Sequence, residues 1–375
     1  MKQGWTYMKL GDIAEVIHGK NQKDVISEDG QYPIYGSGGN IMGYARDYLC
    51  EANTTILGRK GSINNPQFIT ERFWNVDTAF GIFGKNGNDS KFIYYFIKSI
   101  DWSKKNTGTT LPSLTQQVVK SVELSVPSLN EQQRIVEYLD AAFAQIDELK
   151  ANAEKQLAEA RALFQAALTQ AMQPKPGWQE KKLVNVCDIF GRIGFRGYTT
   201  KDLVSSQNDG AISLSPSNIQ NGEMDYSKRT YISWFKYNES PEIKIFNGDI
   251  LLVKTGSSYG KSALVKNLPH EATINPQSVV LKNFRINNEF FAYQLRTERV
   301  KKEFDQFVSG TAIPTFSQAK LGIVPIYFPG EIEQEQIVSY LNSINNLVKE
   351  LEEINRKTAT ECDALKQALL RQIFE

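Results

Sequence analysis

Two long stretches of the chain carry apolar residues at the spacing of paired helices. In residues 131–173 these positions are 135, 139, 142, 146, 149 and 153, and in residues 332–375 they begin 337, 341, 344, 348 and 351. Alternating steps of four and three are typical of a coiled-coil seam. Neither stretch contains Pro or Gly, so each is predicted to be one helix of roughly 60 Å. We expect them to pair as an antiparallel coiled coil through Ile135, Leu139, Ile146, Leu149, Ile337, Leu341, Ile344 and Leu351.

The same two stretches repeat each other in sequence. Residues 131–140 return as residues 333–342, which is 202 positions later, and residues 162–170 return at the same offset as residues 364–372. A Gly-Trp pair opens each half, at Gly4-Trp5 and Gly177-Trp178. A repeat of this length predicts two copies of one unit, each closing with its long helix. We therefore expect a pseudo-two-fold internal repeat.

Between the helices the pattern changes to short apolar runs separated by Gly, Asn, Asp and Ser. The runs at 54–57, 250–253 and 278–281 predict strands, and aromatic residues at helical spacing predict helices at 92–100 and 290–295. The fold class is therefore α+β, with two mixed α/β domains separated by two long helices. The predicted boundaries are a first domain at 1–130, a first spacer helix at 131–173, a second domain at 174–331 and a second spacer helix at 332–375. Two prolines and a glycine at 174–177 mark the middle boundary.

Length and composition exclude several classes of protein. The 375 residues contain no stretch long enough to span a membrane and no signal peptide at the start. Cys50, Cys187 and Cys362 are isolated and odd in number, and the chain has only two histidines. These features favour a cytoplasmic protein without disulfides or a zinc site.

The net charge of +1 hides an uneven distribution. Residues 1–130 carry 14 Lys and Arg against 12 Asp and Glu, and residues 174–331 carry 20 against 15. The helical stretches are acidic, with 4 against 7 in residues 131–173 and 5 against 8 in residues 332–375. Contact with a phosphate backbone would therefore fall to the two globular domains.

No catalytic or metal-binding motif is complete. Gly256 to Ser262 resembles a phosphate-binding P-loop, but three residues separate its glycines where four are required. Two histidines and isolated cysteines do not provide a nucleophile with its base. We predict no catalytic residues and no metal ligands in this chain.

The loops are rich in Gly and in side chains that bind phosphates or base edges. Gly allows a duplex to approach the backbone, Lys, Arg, Ser and Thr donate to phosphates, and Arg, Asn and Gln recognise bases. Arg59 and Lys254 are the preferred contacts, because each follows a strand-like run and precedes a Gly-Ser pair in its own half. An ordinary surface loop remains the alternative for any single residue. The complete set of candidate DNA-binding residues is Lys20, Asn21, Lys23, Ser37, Asn40, Arg59, Lys60, Ser62, Thr109, Arg192, Arg196, Ser215, Asn218, Lys254, Thr255, Ser257, Tyr259, Lys261 and Thr311.

Several motifs, in an order repeated in both halves, resemble the specificity subunit of type I DNA restriction–modification enzymes. They are Pro33-Ile34-Tyr35-Gly36-Ser37-Gly38-Gly39 with Gly43-Tyr44, the run 248–257, the run 310–314, and Pro329 followed by Glu333-Gln334 and Ile337, which Pro127, Glu131-Gln132 and Ile135 match in the first half. Each motif alone is weak, but their repeated order covers nearly the whole chain.

The resemblance implies two target-recognition domains, each reading one half of a split site in double-stranded DNA. It implies modification (methyltransferase) subunits that use S-adenosylmethionine and a restriction (translocase/endonuclease) subunit that uses ATP and Mg, with no cofactor bound by this chain. Partners would also share the phosphate contacts. Two alternatives stay open: a self-contained DNA methyltransferase or nuclease, and a helical scaffold that does not bind DNA.

Overall fold

The computed structural model describes residues 4–308 and 314–375. The chain divides into two compact units, and both long helices contribute to each. Unit 1 comprises Met1–Lys155 and Glu353–Glu375, and unit 2 comprises Gln156–Glu352. The first long helix, Leu129–Ala171, and the second, Glu331–Phe374, are therefore each shared between the units.

Unit 1 contains nine short strands and three short helices before its long helix, among the residues that the structure describes. The strands are β1 (Thr6–Lys9), β2 (Ala14–His18), β3 (Tyr32–Tyr35), β4 (Ile41–Ala45), β5 (Thr54–Gly58), β6 (Gln67–Ile69), β7 (Trp74–Asn75), β8 (Ala79–Gly84) and β9 (Glu123–Val126). The helices are α1 (Leu10–Ile13), α2 (Ser90–Ser99), α3 (Gln116–Lys120) and α4 (Leu129–Ala171). The strand predicted at 54–57 and the helix predicted at 92–100 are confirmed.

Neighbouring residues of β5 belong to two different apolar clusters of unit 1, one on each face of the sheet. The sheet β2-β8-β5-β6 faces helix α2 on one side and the sheet β4-β3-β7 on the other. Leu57 packs with Phe92 of α2, whereas its neighbour Ile56 packs with Tyr35 of β3. Successive strand residues point to opposite faces. All five residues of β5 are buried, as expected of a strand covered on both sides.

Unit 2 repeats this plan with more strands. Its strands are β10 (Gln179–Lys182), β11 (Asp188–Gly191), β12 (Leu203–Val204), β13 (Gly210–Leu214), β14 (Ile219–Gln220), β15 (Glu223–Met224), β16 (Tyr231–Ser233), β17 (Lys244–Ile245), β18 (Ile250–Val253), β19 (Ser262–Leu264), β20 (Ala272–Ile274), β21 (Ser278–Lys282) and β22 (Pro325–Phe328). Its helices are α5 (Trp234–Asn238), α6 (Asn288–Leu295), α7 (Glu298–Phe307), α8 (Gln318–Gly322) and α9 (Glu331–Phe374). The strands predicted at 250–253 and 278–281 and the helix predicted at 290–295 are confirmed.

Strand β18 of unit 2, like β5 of unit 1, is covered on both faces. The sheet β11-β21-β18-β19-β15-β14 lies between helices and the second sheet, β12-β16-β13-β20-β17. Leu252 packs with Phe290 of α6, and Leu251 packs with Ile212 of β13. The fold is therefore mixed α/β with two repeated domains and two long helices, in agreement with the coarse prediction.

Within unit 1, the beginning of α4 lies beside the end of α9. Lys366 Nζ is 2.5 Å from Asp147 Oδ1, and Lys150 Nζ is 3.5 Å from Asp363 Oδ1. Position numbers rise along α4 as they fall along α9, so the two segments run in opposite directions in this unit. Leu370 shares the apolar core of α4 and α2.

Within unit 2, the end of α4 lies beside the beginning of α9. Arg161 Nη2 is 2.6 Å from Glu352 Oε1. Phe164 and Leu168 share one apolar core with Ile337 and Leu341. Burying these side chains provides the main stabilisation here, because exposed ion pairs contribute less than about 1 kcal/mol each.

The buried stripe of α4 corrects the predicted seam at two positions. Ile135, Leu139 and Ile146 are buried, but Phe143 takes the place expected at 142, and Leu149 is 56% exposed. Phe143 packs edge-on against Tyr95 of α2, with ring centroids 5.4 Å apart. Because α4 here covers the globular domain as well as the other helix, the stripe takes two successive steps of four, at 135, 139 and 143, before a step of three to 146. In α9, Ile337 and Leu341 are buried, and Ile344 and Leu351 are half-buried.

A buried glutamine joins each long helix to its globular domain. In unit 1, Gln132 Oε1 accepts the backbone N–H of Asp89 at 2.9 Å, and its Nε2 donates to the carbonyl of Pro127 at 3.1 Å. Asp89 itself caps α2 by accepting the N–H groups of Lys91 and Phe92. The side chain thereby fixes the beginning of α2 to the first turn of α4.

Unit 2 contains the same joint. Gln334 Oε1 accepts the N–H of Asn287 at 2.9 Å, and its Nε2 donates to the carbonyl of Pro329 at 2.8 Å. Asn287 caps α6 through the N–H of Phe290. The repeated Glu-Gln pair in the sequence is therefore explained by a structural role of its glutamine.

Candidate nucleic-acid interface

The loop after β5 is held by a set of backbone hydrogen bonds in unit 1. The N–H groups of Arg59 and Lys60 both donate to the carbonyl of Thr78, at 2.8 and 3.1 Å, and Gly61 N–H donates to Pro112 O at 2.9 Å. Gly61 has a φ of +78°, a conformation that favours glycine. The loop is thus rigid at its base, while Lys60 is exposed and Arg59 half-buried.

The Gly-rich loop at 36–40 packs beside this one. Asn65 Nδ2 approaches the carbonyl of Gly38 at 3.5 Å, and a side chain at Gly39 would meet Gln67 at 2.5 Å. The structure therefore brings together two loops that lie far apart in sequence. Asn40 and Ser62 are both exposed on them.

A third loop follows β2 and carries Lys20. The backbone N–H of Lys20 donates to Asn75 O at 2.9 Å, and Trp74 Nε1 donates to the carbonyl of Lys20 at 3.0 Å. The backbone of Lys20 is thereby held in place, while the residue itself is exposed. Close by, partial burial and then the charge of Arg59 lower the pKa of His18. Desolvation and the positive charge of Arg59 both favour the neutral form of His18, so the cationic side chains here are Arg59 and the lysines.

Unit 2 repeats the framework around the loop after β18. Lys254 and Thr255 N–H groups donate to Gln277 O at 2.8 and 3.2 Å, and Gly256 N–H donates to Pro314 O at 2.9 Å. Gly256 has a φ of +96°. The corresponding bonds in the two units place Lys254 where unit 1 has Arg59.

Two of the sequence-selected side chains are committed to the protein interior. Arg192 is 8% exposed, and its Nη2 donates to the carbonyl of Ile274 at 3.0 Å and the hydroxyl of Thr273 at 3.2 Å. Asn218 is 4% exposed, and its Nδ2 donates to the carbonyls of Asp225 and Lys228. The selection of both residues as DNA contacts is corrected, because their donors already satisfy buried acceptors.

The remaining selected residues divide by exposure. Arg196 is half-buried and 3.5 Å from Glu242, and Tyr259 donates its hydroxyl to Asp305 at 2.8 Å. The half-buried residues are Ser37, Arg59, Arg196, Ser215, Lys254, Thr255 and Tyr259, and the exposed ones are Lys20, Asn21, Lys23, Asn40, Lys60, Ser62, Thr109, Ser257 and Lys261. Thr311 lies outside the described residues.

Sequence reasoning missed the exposed lysines of α7, Lys301 and Lys302. Apolar residues at 300, 304 and 307 follow the helical period, and Lys301 lies on the exposed face of this helix. The amphipathic pattern was a usable signal. The proximity of α7 to the loop at 254–261 was not, since 40 residues separate Lys301 from Lys261.

The comparison with protein families agrees with this repeated arrangement. The sequence model described as "Type I restriction modification DNA specificity domain" matches residues 2–159 and again residues 176–361. The chain belongs to this family. Both copies of the specificity domain include one framework of loops and most of one long helix.

Individual relatives cover nearly the whole chain or about half of it. The type I restriction enzyme MjaVIII specificity subunit of Methanocaldococcus jannaschii is 22% identical over 99% of this chain and 92% of its own length. The EcoKI specificity subunit of Escherichia coli K12 is 24% identical over 51% of this chain and 44% of its own length.

Solved structures share the fold. A chain from a study of complex assembly and conformational transition of the type I R-M system has a TM-score of 0.75 at 17% identity, covering 99% of this chain and 98% of that one. The HsdS subunit of Thermoanaerobacter tengcongensis has a TM-score of 0.54 at 17% identity, covering 100% and 97%. Within the described ranges, no helix has the length and apolar character needed to cross a membrane.

Proposed function

We propose that this chain is the sequence-specific DNA recognition subunit of a type I restriction–modification complex. Each globular domain, at residues 1–130 and 174–331, reads one half of a split target. The observation that carries the proposal is the repeated family match, combined with the same backbone framework around a basic loop in both units. Two copies of one recognition domain in a single chain are suited to bind two half-sites separated by a spacer.

The two long helices are the structural basis of the spacer. We propose that they form an antiparallel coiled coil with pseudo-two-fold symmetry. Two observations support the proposal. In unit 1, ion pairs join segments of the two helices that run in opposite directions. In unit 2, the two helices share one apolar core. Half-sites about one helical turn of DNA apart, roughly 34 Å, would present their major grooves on the same side.

The chain itself is proposed to be non-catalytic. Modification (methyltransferase) subunits dock on or near the paired helices, where α4 exposes Tyr138 and Leu149 and α9 exposes Tyr340 and Ile354. S-adenosylmethionine would bind the modification subunits, and ATP and Mg the restriction subunit.

The proposal is tested by sequencing DNA methylation in cells with the gene, without it, and with it restored. We expect one split motif, with two short defined halves and a fixed unspecific spacer, that disappears on deletion and returns on restoration. A contiguous motif, or a methylation pattern that does not depend on the gene, would contradict a two-domain reader. The purified chain with S-adenosylmethionine alone should methylate nothing, whereas methylation would favour a self-contained methyltransferase.

A further inference from the structure

Unit 2 contains a groove beside the basic loop that the function proposed above does not by itself assign. The groove encloses about 550 Å³ and lies between the loop 257–262, the turn 219–222 and the beginning of α7. It adjoins the framework of Lys254 and Gly256, because the loop that forms one wall continues directly from it.

Three cationic side chains line this groove, and Asp305 lies at its edge, where it accepts the Tyr259 hydroxyl. Lys261, Arg296 and Lys301 line it, and no Asp or Glu is among the described residues that do. Lys261 and Lys301 are exposed and make no ion pair of 4 Å or less with any residue that the structure describes. In the neighbouring cleft of the same unit, by contrast, Lys349 is 2.7 Å from Glu223. A concave surface lined by cationic side chains attracts an anion.

Hydrogen-bond donors accompany the charge. Ser262 lines the groove and is 3% exposed, and its hydroxyl has no hydrogen-bond partner in the described structure. Leaving a buried polar group without a partner is unfavourable. Thr297 caps α7 at the same groove by accepting the N–H of Val300. The first turn of this ten-residue helix also presents the positive end of its dipole, with Glu298 exposed in the same turn.

We propose that this groove holds the sugar–phosphate backbone of the bound DNA, with Lys261 and Lys301 each contacting a phosphate. The proposal rests on the DNA-recognition function and extends it to a specific path for one strand. Phosphate contacts position a protein on DNA without selecting a sequence. Base selection would then belong to the adjoining loop at 254–258, and both lysines would bind the backbone without selecting bases.

The test compares Lys261→Gln and Lys301→Gln with Lys228→Gln, whose lysine is exposed in the same unit but does not line the groove. Binding of the assembled methyltransferase is measured at several salt concentrations, on a duplex with its methylated motif and on an unrelated duplex. Each groove variant should make the slope of log K against log salt shallower by about 0.9. It should weaken both duplexes by the same factor and leave the methylated motif unchanged.

A second measurement locates the contact on the DNA. Single phosphates of the motif duplex are replaced by uncharged methylphosphonates, and each replacement is combined with Lys301→Gln. At the contacted phosphate, the replacement should weaken the wild-type complex and have little further effect on the variant, as expected for coupled partners.

Three results would contradict a phosphate contact in the groove. They are salt slopes of the groove variants equal to that of Lys228→Gln, a loss of affinity confined to the motif duplex, or effects of Lys301→Gln and of the methylphosphonate that are independent at every phosphate. These are distinct from failure of the proposed function, which would appear as a wild-type complex without preference for its methylated motif.

Discussion

Replacing Gln132 by Leu should release α2 from α4 and open unit 1 locally. The leucine side chain retains most of the volume but removes the acceptor for Asp89 N–H and the donor for Pro127 O and Asn88 Oδ1. Gln132 is 2% exposed, so water does not readily replace these bonds. Each buried group left without a partner costs about 1–3 kcal/mol. The two backbone groups alone predict a loss of about 2–5 kcal/mol, since Asp89 N–H is only partly buried.

Hydrogen–deuterium exchange measures this loss where it occurs. If α2 exchanges through local opening, its amides should exchange about 30-fold to several thousand-fold faster, because 1.4 kcal/mol is a factor of ten. Amides of α6 in unit 2 should not change. Gln334→Leu should give the reciprocal result, with faster exchange in α6 and no change in α2.

The matched controls are the exposed Gln133→Leu and Gln336→Leu on the same two helices. They add the same apolar side chain without removing a buried hydrogen bond. If Gln132→Leu accelerates α2 no more than Gln133→Leu does, the joint does not hold the domain and the explanation of the repeated glutamine is wrong.

Four further predictions concern DNA contact, spacing, assembly and thiol reactivity. Arg59→Ala or Lys254→Ala should weaken binding of the assembled complex by about 1–3 kcal/mol if the side chain meets a base bidentately, or weaken all sequences equally with a shallower salt dependence if it meets a phosphate; unchanged binding at every salt concentration rules out both roles. Four residues inserted at one level of both long helices should change the spacer in the methylated motif and leave both half-sites intact, and an active variant with the old spacer refutes a helical strut. Leu139→Asp or Leu341→Asp, at positions with 0% exposure, should disrupt helix pairing or assembly, as measured by co-purification, before base choice changes; normal assembly with a new motif would contradict this. Iodoacetamide at pH 8 should leave Cys50 unmodified in the native protein, because burial raises the pKa of its thiol to about 12; rapid labelling would show that this strand is open.

The sequence was sufficient for the elements whose signal is local. The proline-free stretches, the apolar run at 250–253 and the aromatic spacing at 290–295 each correspond to an observed element. The register of the seam was less predictable. Leu149 fits a heptad but is exposed, because the stripe of α4 is set partly by contacts with α2 that periodicity cannot contain.

The candidate interface depended more strongly on tertiary contacts. The repeat at 59–62 and 254–257 indicated two related loops, and their backbone frameworks indeed correspond. The sequence, however, does not distinguish a loop arginine that points outwards from one that, like Arg192, donates to a buried carbonyl. Lys301 was missed for the opposite reason: only the fold brings α7 to the loop that contains Lys261.

The most direct test of two independent readers is the exchange of one of them. Residues 178–331 are replaced by the corresponding domain of a relative whose motif is known, and DNA methylation is sequenced in cells that express the hybrid with its modification subunits. We predict that one half of the motif changes to that of the relative, while the other half stays the same. A hybrid that assembles and methylates but changes both halves, or neither, would contradict the assignment of one half-site to each unit.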